Sequence, residues 1–404
     1  MSISTVKLAD AAEINPRLTD RPHEHTIVSF LGMADVSERG TTGKGADREF
    51  GEVSKGYTQF ANGDLLVAKI TPCFENGKIA QANLAHARGA GSTEFHVVRP
   101  DESRFDSRFL LHFLRQPIIR LQGEARMTGS AGQRRVPEAF LADLAIPDMP
   151  LPMQNRIAAL LDHVDALRIK RRRALGLLDD IAQSIFIDMF GDPATNPKSW
   201  PIRKVADLVD STTYGTSAKA DLSGTIPVLR MNNLTRAGEI DLSDLKYMDH
   251  LAVGDRHIVR QGDVLFNRTN SADLVGKTAI YRREEPVAYA GYLVRVRMNS
   301  RNHPEYLAAF MNTPYAKRVL RNMCKSIIGM ANINANELKS IDIAEPPLRL
   351  QQEFADRMLA VEKLKLTHRA HLAELDRLFA SIRHRAFRSE LWSDEGASAL
   401  TSAT

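Results

Sequence analysis

The chain is a duplication, and that constrains its fold more than any single motif. Lys7-Leu8-Ala9-Asp10 returns as Lys204-Val205-Ala206-Asp207, and Val28-Ser29-Phe30-Leu31-Gly32-Met33 as Pro227-Val228-Leu229-Arg230-Met231. Gly63-Asp64-Leu65-Leu66 returns as Gly262-Asp263-Val264-Leu265, and Gly77-Lys78 as Gly276-Lys277. The run from Phe109 to Pro117 matches Tyr306 to Pro314 at an offset of 197 positions. Pro150-Leu151 and Gln154 match Pro347-Leu348 and Gln351, and Leu178-Asp179, Ser184-Ile185 and Phe190 match Leu375-Asp376, Ser381-Ile382 and Phe387. The constant order and near-constant offset carry the inference; drifts of a residue or two are loop insertions between diverged copies.

Each copy has two parts. Short apolar runs broken by Gly, Asn, Asp and Pro, such as Thr26-Ile27-Val28-Ser29-Phe30 and Asp263-Val264-Leu265-Phe266, read as strands and turns of a mixed domain. One helix per copy is expected near Ser107–Leu114 and Pro304–Met311. Ile146-Pro147-Asp148-Met149-Pro150-Leu151-Pro152 and Ala344-Glu345-Pro346-Pro347 stop these domains. Then Ile157, Leu160, Val164, Leu167, Leu175, Leu178, Ile181 and Ile185 recur at helical spacing. Phe354, Met358, Val361, Leu364, Leu372, Leu375, Leu378 and Ile382 do the same in copy two. Each stripe predicts a helix of roughly 35 residues, about 50 Å long. A stripe of that length wants a second helix, and the other copy's is at hand.

The expected fold class is therefore α+β: two similar mixed α/β domains separated by two long helices that pair as an antiparallel coiled coil. The expected boundaries are 1–150 and 193–346 for the domains, 151–192 and 347–392 for the helical spacers, and 393–404 for a disordered tail. Such pairing would set the domains at opposite ends of a rod under an approximate two-fold axis, suited to a two-part target. One turn of duplex DNA is roughly 34 Å.

Composition excludes several classes. Of 404 residues 43% are hydrophobic, enough for real cores and too many for a disordered chain. Lys and Arg number 54 against 49 Asp and Glu, a net +5 that permits nucleic acid as partner without requiring it. Cys73 and Cys324 are the two cysteines, and with no Cys-x-x-Cys they argue against a zinc site or a disulfide framework. The first residues carry no signal-peptide pattern and no window is apolar enough to span a bilayer, so a cytoplasmic setting is expected.

At the run from Gly262 to Lys277, at Tyr214-Gly215-Thr216-Ser217-Ala218-Lys219, at Ile226 to Met231 and at Phe190-Gly191-Asp192-Pro193, the sequence resembles the specificity subunits of type I restriction–modification systems. With the duplication, the resemblance covers residues 1 to 392. The first copy departs from it: Lys69-Ile70-Thr71-Pro72-Cys73-Phe74-Glu75-Asn76 stands where copy two has Asn267-Arg268-Thr269-Asn270. The resemblance implies a non-catalytic reader of double-stranded DNA whose two target-recognition domains each read half of a split sequence. The helices would dock two methyltransferase subunits, which bind S-adenosylmethionine and methylate adenine. Restriction subunits using ATP and Mg would complete the endonuclease, and this chain would bind neither cofactor.

The expected DNA-binding residues fall in loops. Arg268 can pair bidentately with guanine and Asn267 or Asn270 with adenine, while Thr269 suits phosphate. A solvated polar turn is the alternative. Lys277 and Lys78, each behind a glycine, suit phosphate contacts, or are ordinary surface lysines. Tyr214, Thr216, Ser217 and Lys219 form a polar loop, and Arg230, Asn232 and Asn233 are contacts or turn-formers. In copy one, Lys69 and the glycine-flanked loop of Gln133, Arg134 and Arg135, whose counterpart in copy two is Ile328-Gly329-Met330-Ala331-Asn332, are expected to meet DNA. The basic run Arg168 to Arg173 reads first as a solvated helix face, and second as a contact to DNA backbone or to an acidic partner helix.

Catalytic readings fare worse. Asn312-Thr313-Pro314-Tyr315 resembles an adenine-methyltransferase signature but lacks its first proline, and its repeat partner Arg115-Gln116-Pro117-Ile118 marks a helix end. Gly40-Thr41-Thr42-Gly43-Lys44-Gly45 has Gly45 where a P-loop needs Ser or Thr. Glu337-Leu338-Lys339 has no upstream Asp for a nuclease, and His23 and His25 lack a third metal ligand.

Overall fold

The computed structural model describes residues 4–17, 20–130, 132–249, 253–271, 274–327, 330–388 and 390–391. The expected tail at 393–404 lies outside them. The chain divides into two compact units, Met1–Lys170 with Leu372–Thr404, and Arg171–His371. No helix among the described residues is long and apolar enough to cross a membrane.

In the first unit, Thr5–Lys7 pairs antiparallel with Ala145–Pro147, closing the domain's ends on each other. One four-stranded sheet runs Ala12–Ile14, Phe95–Pro100, Leu65–Ala68, Ile79–Gln81. A second runs Ala46–Glu49, Ile27–Leu31, Arg88–Gly91, Thr58–Ala61, with a parallel pair at its centre. Leu65–Ala68 is buried on both faces, which explains its unbroken apolar sequence. Helix Ser107–Leu114 begins where the Asp106 carboxylate accepts from Phe109 N at 2.7 Å.

The second unit repeats these sheets and adds a three-stranded one, Thr269–Asn270, Met330–Asn332, Lys325–Ile327, where the first unit has isolated bridges at Arg135. Ile202–Lys204 pairs with Asp342–Ala344. The sheets run Val209–Tyr214, Leu293–Met298, Val264–Asn267, Thr278–Ile280 and Lys246–Met248, Ile226–Leu229, Val287–Tyr289, Ile258–Val259, again with a parallel central pair. Helix Pro304–Met311 follows.

The duplication extends to side chains. Asp64 takes a two-pronged bond from Arg99 at 2.9 and 2.8 Å, and Asp263 takes one from Arg297 at 2.7 and 3.2 Å. Gln154 is fully buried, accepting from Asp106 N at 3.0 Å and donating to the Met149 and Arg104 carbonyls. Gln351, equally buried, accepts from His303 N at 2.8 Å and donates to the Pro346 carbonyl and to Asn302.

The long helices are Leu151–Phe190 and Leu348–Ala386, and each gives one half to each unit. In the first unit Arg168 Nε donates to Asp376 at 2.6 Å, and Ile157, Leu161 and Val164 share a core with Phe379, Ile382 and Phe387. In the second, Lys365 pairs with Asp179, and the Phe186 and Phe354 rings lie 5.8 Å apart. Rising numbers on one helix meet falling numbers on the other, so the helices pair antiparallel. The seam departs from the simple stripe: Ile181, Leu364 and Leu378 are exposed, while Phe186 and Phe379 are buried. A straight helix drifts relative to a 3.5-residue repeat, so the buried side moves to a neighbouring position.

Candidate nucleic-acid interface

In the second unit the candidate residues gather where strand Val264–Asn267 ends. Arg268 is fixed by its backbone, donating from N to the Tyr292 carbonyl at 3.0 Å and accepting from Ile333 N at 2.8 Å. Its guanidinium carbon lies 4.9 Å from the centre of the Tyr214 ring. Tyr214 is itself anchored, its hydroxyl accepting from Ala335 N at 2.9 Å. Among the described residues no partner hydrogen-bonds the Arg268 guanidinium, and the half-exposed Tyr292 stands beside the same backbone. Arg268 is half-buried on this ring, and its Nε is buried without a hydrogen-bond partner among the described residues.

The rest of the run is turned inward. Asn267 is fully buried, its side-chain oxygen accepting from Thr269 N at 3.2 Å. Buried Thr269 reaches the Asn332 side chain at 3.4 Å, and the Asn270 side chain accepts from Ser271 N. Lys277 donates to the Met231 carbonyl at 2.6 Å; burial first, then Arg236, holds its ammonium below the usual lysine range. Lys78 donates likewise to the Met33 carbonyl at 2.9 Å. These two lysines are equivalent ties within their domains rather than open cations. Arg230 and Asn232 both bind the Asp244 carboxylate, at 2.8 and 2.7 Å. Asn233 is buried and tied to the Asp241 and Asp244 carbonyls. Thr216 is buried, its hydroxyl accepting from Ala218 N, whereas Ser217 and Lys219 are exposed.

The first unit holds a different set on the same frame. Lys69 N donates to the Glu94 carbonyl at 2.9 Å and Val136 N to the Lys69 carbonyl at 2.8 Å, repeating the two bonds around Arg268. Glu94 thus stands where Tyr292 does. Arg135 grips it with two bonds, at 2.9 and 2.8 Å, and that hydrogen bonding holds the Glu94 carboxyl below its ordinary range. Gly129 and Gly132, at φ of 121° and 80°, shape the turn that leaves Gln133 exposed. Arg134 lies 3.9 Å from Glu75. Ala131 of this turn, and residues 328–329 of its counterpart, lie outside the described residues.

Glu94 and Tyr292 were missed by motif reading. The signal that exposes them is the repeat itself, since they align once the copies are superposed on the sequence. Among the described residues no group of three or more His, Cys, Asp and Glu could hold a metal, and His25 pairs with Glu49 at 2.9 Å on the surface. Cys73 and Cys324 are free thiols.

Residues 197–377 match the family model described as "Type I restriction modification DNA specificity domain". The EcoEI specificity subunit of Escherichia coli is 42% identical over 154 residues, 38% of this chain and 26% of that protein. The EcoAI subunit is 42% identical over 152 residues, 37% of this chain and 26% of the relative. The chain thus spans about a quarter of the length of these two relatives. The EcoKI specificity subunit of Escherichia coli (strain K12) is 28% identical over 73% of this chain and 68% of its own. The S subunit from M. genitalium shares the fold at a TM-score of 0.58, with 12% identity over 95% of this chain and 96% of that one. A chain from a structure of the type I R-M system does so at 0.54, with 19% identity over 96% and 98%. With two copies of one topology and paired long helices, the chain is similar to the type I restriction–modification specificity subunits, and residues 197–377 match their DNA specificity domain.

Proposed function

We propose that the chain is the sequence-reading subunit of a type I restriction–modification complex. Each target-recognition domain reads one half of a bipartite duplex sequence, and partner subunits carry out adenine methylation or restriction. The observation that carries this is one backbone frame with two sets of side chains: Arg268 on Tyr214 beside Tyr292 in one unit, Lys69 with the Glu94–Arg135 pair in the other. Identical frames position two readers; different polar heads give them different targets.

On this reading the chain is not an enzyme and binds no cofactor. The paired helices dock two methyltransferase subunits, which hold S-adenosylmethionine; restriction subunits hold ATP and Mg. Footprinting of the chain with its methyltransferase partner on duplex DNA should show protection of one two-part sequence. Uniform protection would overturn the proposal. S-adenosylmethionine binding or DNA cleavage by the isolated chain would replace it with a self-sufficient enzyme, and absence of salt-dependent DNA binding with a scaffold.

A further inference from the structure

The two units contain an equivalent cleft between the recognition domain and the long helices, and its electrostatics are opposite in the two copies. In the second unit it is lined by Lys365, Asp179, Glu239, Asn312 and Phe186. There Lys365 is neutralised by Asp179 and Glu239, and Arg369 also binds Glu239. At the matching positions of the first unit, Arg168 replaces Lys365, Asp376 replaces Asp179, Arg115 replaces Asn312 and Arg383 replaces Phe186. Arg120 joins them, so four guanidiniums from four helical segments line a cleft of about 200 Å³. The position of Glu239 is taken by Thr41, one residue after Gly40; Gly40 and Gly238 pack against Arg115 and Asn312 respectively.

Three of the four, Arg115, Arg120 and Arg383, have no carboxylate within 4 Å among the described residues. Arg168 is paired, with Asp165 at 2.5 Å and Asp376 at 2.6 Å. Among the described residues Arg115 donates to the Glu38 carbonyl at 3.2 Å and Arg120 to the Glu75 carbonyl at 3.3 Å, with the buried Nε of Arg120 unpartnered. Arg383 has no carboxylate within 4 Å among the described residues and shares the Phe379 ring with Arg168, their guanidinium carbons 5.4 and 4.4 Å from its centre. All four are partly buried. Burial first, then Arg108, Arg383 and Arg168 against Asp165, pushes the Arg115 guanidinium below its ordinary range; burial, then Arg168 and Arg120, does the same to Arg383. Like charges held together out of water cost free energy unless an anion joins them.

We propose that this cleft of the first unit is a binding site for a phosphate oxyanion. A tetrahedral dianion offers acceptors in several directions, which suits guanidiniums arriving from separate helices; a single carboxylate is planar and carries half the charge. The second unit's cleft, about 250 Å³ and lined by its own carboxylates and Phe186, lacks this cluster of guanidiniums. The phosphate comes either from a small phosphate ester or from the DNA backbone, and neither source depends on which bases the loops read.

The test uses the full chain and two substitutions toward its own second copy, Arg115→Asn and Arg383→Phe. Inorganic phosphate at constant ionic strength should raise the melting temperature saturably and bind by calorimetry, and each substitution should weaken binding at least tenfold. Acetate should not substitute. If Arg383→Phe fails to fold, Arg383→Gln keeps the helix and removes the charge, and the same loss is expected. For a backbone-phosphate source, the substitution also lowers the slope of log affinity for duplex DNA against log salt by about one. For a small ester the slope is unchanged while phosphate binding is lost. No phosphate effect on the unsubstituted chain, an equal effect on the substituted ones, or an equal effect of acetate would overturn the site. A chain that binds phosphate here yet shows no sequence preference would refute the DNA-reading proposal alone.

Discussion

At Arg268 the backbone and an aromatic neighbour together fix where the side chain lies. Its backbone is bonded in both directions and Tyr214 supports the guanidinium plane. Arg268→Ala should abolish or relax recognition of the second half-site only, costing roughly 1–3 kcal/mol for a bidentate contact. Methylation mapping checks this, and equal loss at both half-sites would refute it. Lys277 makes the contrasting case. Gly276-Lys277 in the sequence suits a phosphate contact, but the carbonyl that takes its ammonium belongs to Met231, 46 positions earlier. Only tertiary structure brings that pair together. Lys277→Ala should therefore leave the salt dependence of DNA binding unchanged. It should cost about 1–3 kcal/mol in denaturant unfolding, because the half-buried Met231 carbonyl loses its donor.

Among the elements, the long helices and the helices Ser107–Leu114 and Pro304–Met311 were legible, because their apolar periodicity and flanking prolines are local signals. The sheet order was not: the parallel pairing of Ile27–Leu31 with Arg88–Gly91 joins strands some sixty residues apart, which no local pattern encodes. Nor was the charged lock between helices. Asp162 on the first long helix takes hydrogen bonds from His112 at 2.8 Å and from Arg108. Burial raises its carboxyl, but these bonds outweigh it and bring the group down from 3.8 to about 2. A depressed folded-state value stabilises above the unfolded-state value and is lost as pH falls through the folded one. Acid unfolding followed by circular dichroism should thus carry a contribution between about pH 4 and pH 2 that Asp162→Asn removes. An identical acid limb in that variant would show the lock to be inert.

At the scale of the whole chain, each unit is assembled from sequence-distant pieces. The duplication suggests two consecutive modules, yet the first unit takes its closing helix from residues 372 onward. Phe387 packs at an angle against Phe109 and Phe113, with ring centres 5.1 and 5.5 Å apart, and the His112 and Phe379 rings lie 6.0 Å apart. Residues 1–192 made alone keep every strand of the first domain but lose these rings, and with them a patch of core that includes Ile382 and Ala386. Deleting one buried Phe side chain typically costs about 3–5 kcal/mol, a large share of a domain's net stability. The fragment should be protease-sensitive and should lack near-ultraviolet circular dichroism. Co-expression with residues 347–392 should restore both, and Phe387→Ala in that second fragment should weaken the rescue. If 1–192 instead folds as firmly as the full chain, the consecutive-module picture is sufficient and the borrowed helix is dispensable for stability. Rescue that depends on Phe387 would make the second copy's helix a folding partner of the first copy's domain.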